Sequence, residues 1–458
     1  MRRKLSKILS LFILLGTLSS AGCTDSGNTI TGKRENVLRV ASWDEYIDMG
    51  INGLDPDPID GDGEYISWFK EYTGVDLSDA KPLYKEFEDW YKKTYGKEIT
   101  VEYIALQDNE TMYNKIKMGD SYDLLCPSEY MAMKLKSENR LLPYPESFFD
   151  PMIEENYYAQ NEPQYTKDVF EKAGLTGSIA GYMWGSTGFV YNPDKIGETP
   201  EKSREIMQSW YCLTSKECKR KITAKDNVRD SYFMGLGMYY EEELRALDKN
   251  DENYSKILSE KMNDTSPSTM QAVKKLLEKA RKNLYGLETD EGKTDVIMGR
   301  LDASYQWSGD AVYIIDQAEC ESDLLLEYAI PSSASNLWFD GWVMMEGANV
   351  EAATAFVNFL SMPENAIRNM YYIGYTSCIA GERIYDYIEY MYGEDEGVPY
   401  DLTYFFGEDA ILTVDESQTR RQLFAQYPDK DTISRLVVMN FFNQEENERA
   451  NRMWNNIK

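Results

Sequence analysis

The stretch Val37-Leu-Arg-Val-Ala-Ser-Trp-Asp-Glu-Tyr46 carries the fold prediction. Its first half is apolar apart from Arg39, which predicts a short buried strand. The strand then ends in two aromatic residues and two carboxylates, Trp43-Asp-Glu-Tyr46. In open α/β sheets, ligands bind beyond the carboxyl ends of strands. Aromatic faces attract cations and a carboxylate fixes an ammonium, so this end has the chemistry of a cation-binding cleft. The residues alone fit equally well a half-buried strand end with ordinary surface acids.

Composition narrows the class of function. The chain has 458 residues, enough for two or three domains, and a formal net charge of −29, which argues against nucleic acid as a partner. It contains no histidine, which excludes His-dependent triads and His-ligated metals. None of the six cysteines forms a C-x-x-C pair, so we expect no structural zinc; Cys212 and Cys218 are close enough in sequence to pair, and the sequence leaves this open. We expect no metal, no cofactor and no catalytic residues.

The first residues are typical of an export signal. Residues 1–22 combine a basic start with an apolar run too short for a membrane span. Ser20-Ala-Gly-Cys23 then resembles a bacterial lipoprotein signal, in which Cys23 is lipidated and residues 23–36 form a tether. An ordinary secretory signal is the alternative. Either interpretation places the protein outside the cytoplasm, in the periplasmic space.

Strands and helices alternate along the rest of the chain, which predicts an α/β protein. The segments on which this prediction depends are strands at 100–105, 122–126, 178–192, 324–331 and 338–345, and helices from Asn109, over 251–285, over 352–360 and over 444–457. The acidic stretch 55–64 fails the spacing of a calcium loop, and we interpret it as a surface loop. Residues 385–430 are predicted to be rich in loops.

Several of these segments end alike, with an aromatic residue beside an acid or a hydroxyl. In chain order, these residues are Trp43, Glu45, Tyr46, Ser128, Tyr130, Asn227, Asp230, Trp307, Trp338, Asp340 and Tyr375. A single tryptophan of this kind is more often part of a core than of a site. The ordered series reverses that preference.

The sequence resembles the spermidine/putrescine-binding proteins of bacterial ABC importers. The matching stretches keep the order of that family: residues 42–46, 109–113, 122–130, 184–185, 226–230, 307–309, 337–340, 373–375 and 427–429. Each stretch is weak alone, and the ordered set covers most of the mature chain.

The resemblance implies a two-lobed fold of the type II periplasmic-binding-protein kind, each lobe a mixed sheet flanked by helices. One lobe would take residues 37–187 and 339–384, and the other residues 188–338 and 385–458. The chain would cross between lobes at 184–188 and 337–340. Residues 49–80 and 385–430 look like insertions.

The resemblance also implies roles for residues. The aromatic box of the family falls on Trp43, Tyr46, Tyr130, Trp307, Trp338 and Tyr375. Its amine-binding acids fall on Glu45, Asp230 and Asp340, and Ser128 matches a polar contact. Aromatic faces suit the methylenes and charges of a polyamine, and carboxylates suit its ammonium groups. Asn227 departs from the family where relatives often have an acid, and Met439 where they have a glutamine, so the preferred ligand length stays open.

We therefore expect a lipid-anchored, monomeric, non-enzymatic receptor that delivers a polyamine to an ABC permease and its ATPase. Three alternatives remain: a sugar or ferric-ion site on the same fold, an exported glycoside hydrolase using acids such as Glu45 and Asp340, and an adhesive lipoprotein with no small ligand.

Overall fold

The computed structural model describes residues 36–55, 61–288 and 292–458. The predicted signal peptide, the lipidation site Cys23 and all of the tether but Asn36 lie outside these residues, as do residues 56–60 of the acidic loop. No helix in the described ranges combines the length and hydrophobicity of a transmembrane span.

The strands are β1 (Val37–Trp43), β2 (Thr100–Leu106), β3 (Leu124–Leu125), β4 (Leu141–Leu142), β5 (Ala180–Tyr191), β6 (Ile222–Lys225), β7 (Gly286–Glu288), β8 (Ala303–Trp307), β9 (Glu327–Ala329), β10 (Ser335–Met345), β11 (Thr376–Ser377), β12 (Gly393–Asp401), β13 (Ile411–Val414) and β14 (Leu436–Val437). The helices are α1 (Gly63–Thr73), α2 (Leu83–Tyr95), α3 (Asn109–Met118), α4 (Glu129–Ser137), α5 (Tyr157–Asn161), α6 (Gln164–Lys172), α7 (Pro193–Ile196), α8 (Pro200–Met207), α9 (Val228–Arg245), α10 (Tyr254–Met262), α11 (Pro267–Asn283), α12 (Gly292–Ile297), α13 (Ser308–Ser322), α14 (Val350–Leu360), α15 (Pro363–Ile373), α16 (Glu382–Tyr392), α17 (Thr403–Phe406), α18 (Gln422–Gln426), α19 (Lys430–Ile433) and α20 (Gln444–Asn455). Short 3-10 helices lie at Gly50–Gly53, Glu146–Phe149, Trp210–Thr214 and Glu416–Arg420.

The chain divides into two compact units. Unit 1 contains the described residues up to Met183, together with Asp340–Ile373 and Ser377–Tyr387. Unit 2 contains Trp184–Phe339, Gly374–Thr376 and Ile388–Lys458. Strands β5 and β10 each contain residues of both units.

Unit 1 is built on β1, the strand predicted from the opening stretch. Leu38, Val40 and Ala41 are fully buried, and β1 pairs in parallel with β2 on one side and with β3 on the other. Arg39, the polar exception in this strand, is also buried, and its Nε lies 3.1 Å from Oε2 of Glu102 on β2. The ion pair explains how a charged residue is tolerated inside the strand, because a buried charge needs a partner.

Unit 2 repeats this arrangement with other strands. β6 pairs in parallel with both β7 and β8, and β8 pairs antiparallel with β5. Helix α9 follows β6 directly and α13 follows β8, and both are mostly buried against the sheet. A helix after each parallel strand is the connection that parallel pairing requires.

Three predicted segments differ from the structure. The strand predicted at 324–331 is only three residues long, because α13 extends to Ser322 and ends with Asp323 at a φ of 54°. Of the strand predicted at 122–126, only the two residues of β3 form a strand. Residues 385–430 are more ordered than predicted: they hold the end of α16 and an antiparallel hairpin of β12 and β13 that pairs Val398 with Val414.

Cys126, Cys212, Cys218 and Cys378 are free thiols, so Cys212 and Cys218 are not bridged. Cys126, Cys212, Cys218 and Cys378 are buried, and Cys320 is half-buried. Burial raises the pKa of the Cys218 thiol to about 11 and holds the pKa values of Cys126, Cys212 and Cys378 well above their ordinary value. Since the thiolate is the reactive form, these groups are chemically quiet in the folded protein.

Candidate functional site

Strand topology brings three predicted residues to one edge of unit 1. β1 and β3 are parallel, so their carboxyl ends meet at this edge, where Trp43 and Ser128 lie. β10 runs antiparallel to β3, and its part in unit 1 begins at the same edge with Asp340. Ser128 and Asp340 form an isolated β-bridge, and the Gly341 N–H donates to the Pro127 carbonyl oxygen over 3.1 Å. Ser128 and Asp340, more than 200 positions apart in sequence, are thus neighbours.

The Asp340 carboxylate is the centre of this edge. Its Oδ2 accepts one hydrogen bond of 2.8 Å from the Trp43 indole Nε1 and one of 2.9 Å from the Tyr46 hydroxyl. Asp340 is only 5% exposed, and its Oδ1 is buried without a hydrogen bond from the described residues. An unpaired buried carboxylate oxygen is costly, and a cationic ligand would remove that cost.

The pKa of Asp340 also indicates that a cationic ligand would be favourable at this edge. Burial raises the pKa of the Asp340 carboxyl, and the polar groups of Ser128, Trp43 and Tyr46 offset only part of that rise. The charged form is therefore less stable than that of an exposed aspartate. A nearby positive charge would stabilise it.

The neighbours of Asp340 are themselves held in place. The Tyr182 hydroxyl donates to the Tyr46 carbonyl oxygen over 2.9 Å, and the two rings pack edge to face at 5.5 Å. The Asn109 side chain donates to the Ser128 Oγ over 3.0 Å and accepts from the Ser128 N–H over 3.1 Å. This matches the requirement that a binding constellation be fixed before the ligand arrives.

Two predicted residues of unit 1 lie outside this cluster. Glu45 is exposed, in a left-handed backbone conformation with φ at 52°. Tyr130 is half-buried, and its hydroxyl donates to Oε1 of Glu110 over 3.2 Å. The structure does not connect either residue to Asp340 by a hydrogen bond.

A second edge, in unit 2, gathers the other predicted residues. β6, β7 and β8 are parallel, so their last residues, Lys225, Glu288 and Trp307, mark one edge of the sheet. Asn227 follows β6 and caps α9, because its Oδ1 accepts from the N–H groups of Arg229 and Asp230. Asp230 is buried in the first turn of α9, where a helix N-terminus favours a negative charge.

The remaining aromatic residues also meet in unit 2. The rings of Trp338 and Tyr375 pack edge to face with centroids 5.3 Å apart. The Trp338 Nε1 donates to the Ser186 carbonyl oxygen over 3.3 Å. Glycine is required beside these rings: a Cβ on Gly185 would lie 2.6 Å from Trp338 Cζ2, and one on Gly309 would lie 1.2 Å from Tyr375 Cδ1. This explains the glycines in the stretches 184–185 and 307–309.

Sequence reasoning missed a charged cluster beside Trp307. The Asp310 carboxylate accepts from the Lys293 Nζ over 2.9 Å, from the Lys225 Nζ over 3.2 Å and from the Tyr375 hydroxyl over 3.2 Å. Burial opposes its ionisation, but the two ammonium groups hold the pKa of Asp310 below its ordinary value. The position of Lys225 at the end of a strand was a usable signal, because the same argument selected Trp43.

The comparisons with known proteins agree with this geometry. The family described as bacterial extracellular solute-binding protein matches residues 82–383, well over half of the chain. The chain belongs to this family. Such a solute-binding protein acts outside the cytoplasm.

The relatives of this solute-binding protein include putrescine-binding periplasmic proteins. It is 26% identical to the putrescine-binding periplasmic protein SpuD of Pseudomonas aeruginosa, over 58% of the chain and 68% of SpuD. It is 23% identical to the putrescine-binding periplasmic protein PotF of Escherichia coli, over 58% of the chain and 67% of PotF. Among solved structures, it resembles the spermidine/putrescine ABC transporter substrate-binding protein PotD of Streptococcus pneumoniae, with a TM-score of 0.56, 25% identity, and coverage of 92% of this chain and 98% of that one.

These findings confirm the recognition and the fold class predicted from the sequence. All three similar proteins are named as binding proteins, and PotD is named as that of an ABC transporter. Within this solute-binding protein, the predicted site residues divide between the two units, and Glu45 and Tyr130 of unit 1 are not part of the Asp340 cluster.

Proposed function

We propose that the protein captures a polyamine, such as putrescine or spermidine, and delivers it to the permease and ATPase of an ABC importer. The observation that carries this proposal is the Asp340 carboxylate, buried, oriented by Trp43 and Tyr46, and with one oxygen free of hydrogen bonds from the described residues. A ligand ammonium supplies both the missing hydrogen bond and the missing charge. The binding names of SpuD and PotF support the same ligand class.

The rest of the proposed site lies on unit 2. Trp307, Trp338 and Tyr375 offer aromatic surface to the methylenes, and Asp230 offers a second carboxylate. We propose that the ligand is held in a cleft between two lobes, residues 37–187 with 339–384 and residues 188–338 with 385–458. The monomer closes when both lobes engage the ligand, because only the closed state makes all the contacts.

Titration calorimetry of the purified chain with putrescine and with spermidine tests this function. We expect one-to-one binding of at least one amine, and no heat from a neutral sugar used as a control. If the sugar bound and the amines did not, the proposed ligand class would change from polyamine to carbohydrate. Release of hydrolysis products from a glycoside would overturn the receptor proposal altogether.

We also propose that the protein is anchored to the outer face of the membrane through a lipid on Cys23. The stretch Ser20-Ala-Gly-Cys23 supports this, since a thiol at that position is the acceptor in lipoprotein signals. Cells fed a labelled fatty acid should incorporate the label into the wild-type chain and not into the Cys23→Ser chain. Equal labelling of the two chains would exclude this anchor.

A further inference from the structure

Lys225 is a buried lysine whose ammonium lies on an aromatic ring of the proposed site. It is the last residue of β6, its side chain is 1% exposed, and its Nζ lies 4.0 Å from the ring centroid of Trp307. This is the distance of a strong cation–π contact. The ring therefore already carries one cation, supplied by the protein itself.

Asp310 fixes this arrangement. The carboxylate lies 3.2 Å from the Lys225 Nζ through Oδ2, while its Oδ1 accepts from Lys293 and Tyr375. Lys293 itself is partly exposed, and the contacts described for its Nζ are with Asp310. Lys293 and Tyr375 hold the Asp310 carboxylate in place. If the Lys225 ammonium moved away from the Trp307 ring, it would therefore lose its ion pair with Asp310. Tyr375 also packs on Trp338, so Asp310 links Lys225 through contacts to two aromatic residues besides Trp307.

We propose that Lys225 determines ligand specificity by taking the place of a ligand ammonium on Trp307, so that the protein prefers a diamine to a triamine. This inference rests on the proposed function. A ligand cation on the same ring face would meet the lysine directly. One on the opposite face would lie roughly 8 Å from it, about one Debye length at physiological ionic strength, and would still meet part of the repulsion.

The distribution of acids supports the same preference. Of the three predicted amine-binding acids, Asp340 and Asp230 are buried and Glu45 is exposed. Two buried carboxylates match the two ammonium groups of a diamine. A third ammonium could pair only with the exposed Glu45 or contact Trp307, where Lys225 already lies. An exposed ion pair with Glu45 would contribute little affinity.

Calorimetry on three variants tests the inference. In the wild-type chain, putrescine should bind more tightly than spermidine. Lys225→Met removes the charge and keeps the length of the side chain, and it should raise the affinity for spermidine relative to putrescine by about tenfold. Lys225→Arg keeps a cation on the ring and should keep the wild-type preference.

Lys293→Met is the matched control. It removes the same charge from the same carboxylate but none from Trp307, so it should change the ratio of affinities much less than Lys225→Met does. An equal change of the affinity ratio in both variants would show that net charge, and not the position of Lys225 on Trp307, causes the change. That result would overturn the inference. If circular dichroism shows that Lys225→Met does not fold, Lys225→Gln replaces it, with the same expected result.

The outcomes separate the inference from the proposed function. Amine binding to the wild-type chain with the same ratio in Lys225→Met, or a tighter triamine complex in the wild type, overturns the role of Lys225 and leaves the receptor function intact. Absence of amine binding in the wild-type chain overturns both.

Discussion

The Asp340→Asn chain is expected to bind putrescine at least about 100-fold more weakly than the wild type, which corresponds to roughly 3 kcal/mol or more. Asparagine keeps the shape of the side chain and can still accept from Trp43 and Tyr46. It lacks the charge that would pair with a ligand ammonium in a buried site. Calorimetry at neutral pH measures the loss, and an unchanged affinity would show that Asp340 is not the anchor.

Two readouts distinguish this loss from a damaged fold. Because the pKa of Asp340 is raised in the folded chain, its contribution to stability is present below the ordinary aspartate pKa and is lost as the pH rises through the folded value. At neutral pH the ligand-free variant should thus unfold no earlier than the wild type. The wild-type affinity should also fall as the pH is lowered through the raised pKa, and this fall should be absent in the variant.

Asp123→Asn is a suitable matched control for Asp340. Asp123 lies in the same unit, just before β3, and accepts from the backbone N–H groups of Arg39 and Asn349 over 2.8 Å each. Its replacement removes the same charge and should lower stability with little effect on affinity. A loss of affinity as large as that of Asp340→Asn would assign the effect to overall charge.

Replacing Arg368 with methionine is expected to lower the free energy of unfolding by about 3–5 kcal/mol. Arg368 is 2% exposed, and its guanidinium lies 3.2 Å from Oδ1 of Asp48 and 2.8 Å from Oε2 of Glu86. Burial alone would lower the pKa of this guanidinium, but the two carboxylates hold the pKa above its ordinary value. Its loss leaves the Asp48 charge buried in unit 1 without this partner. Urea unfolding measures the change.

A double-mutant cycle isolates the pair. Asp48→Asn combined with Arg368→Met should cost less than the sum of the single replacements, because the second change removes the charge that the first one leaves buried. Lys92→Met, which breaks the exposed pair with Glu98, is the surface control and should change stability little. Additive effects of Asp48→Asn and Arg368→Met would contradict the coupling.

The sequence was most informative where local pattern and tertiary structure agree. The apolar run of β1 is buried as predicted, and its aromatic end reaches the Asp340 carboxylate through Trp43 and Tyr46. The contact spans nearly 300 residues, and no periodicity could reveal it. Resemblance to a family placed both ends at one site, and the parallel and antiparallel pairing of β1, β3 and β10 explains why they meet.

The misses have physical causes. Only Leu124 and Leu125 form ladder pairs with β1, so β3 is shorter than the apolar run that predicted it. The hairpin of β12 and β13 was not predicted because its first strand, Gly393–Asp401, is acidic and mostly exposed, and lacks the alternation of a half-buried strand. Lys225 was given no role from the sequence, since a lysine beside acids is usually solvated and only the fold shows it buried on Trp307.

The buried thiols have a consequence for how the protein folds rather than for how it binds its ligand. Cys126, Cys212 and Cys378 are protected only after their unit has folded, since burial is what raises their pKa. A chain that is unfolded in an oxidising compartment exposes these reactive thiols, and folding then competes with oxidation for them. A crosslink formed too early between Cys212 and Cys218 would join two side chains that the native state keeps apart as separate thiols. We therefore expect the chain to refold from denaturant in higher yield when a reductant is present.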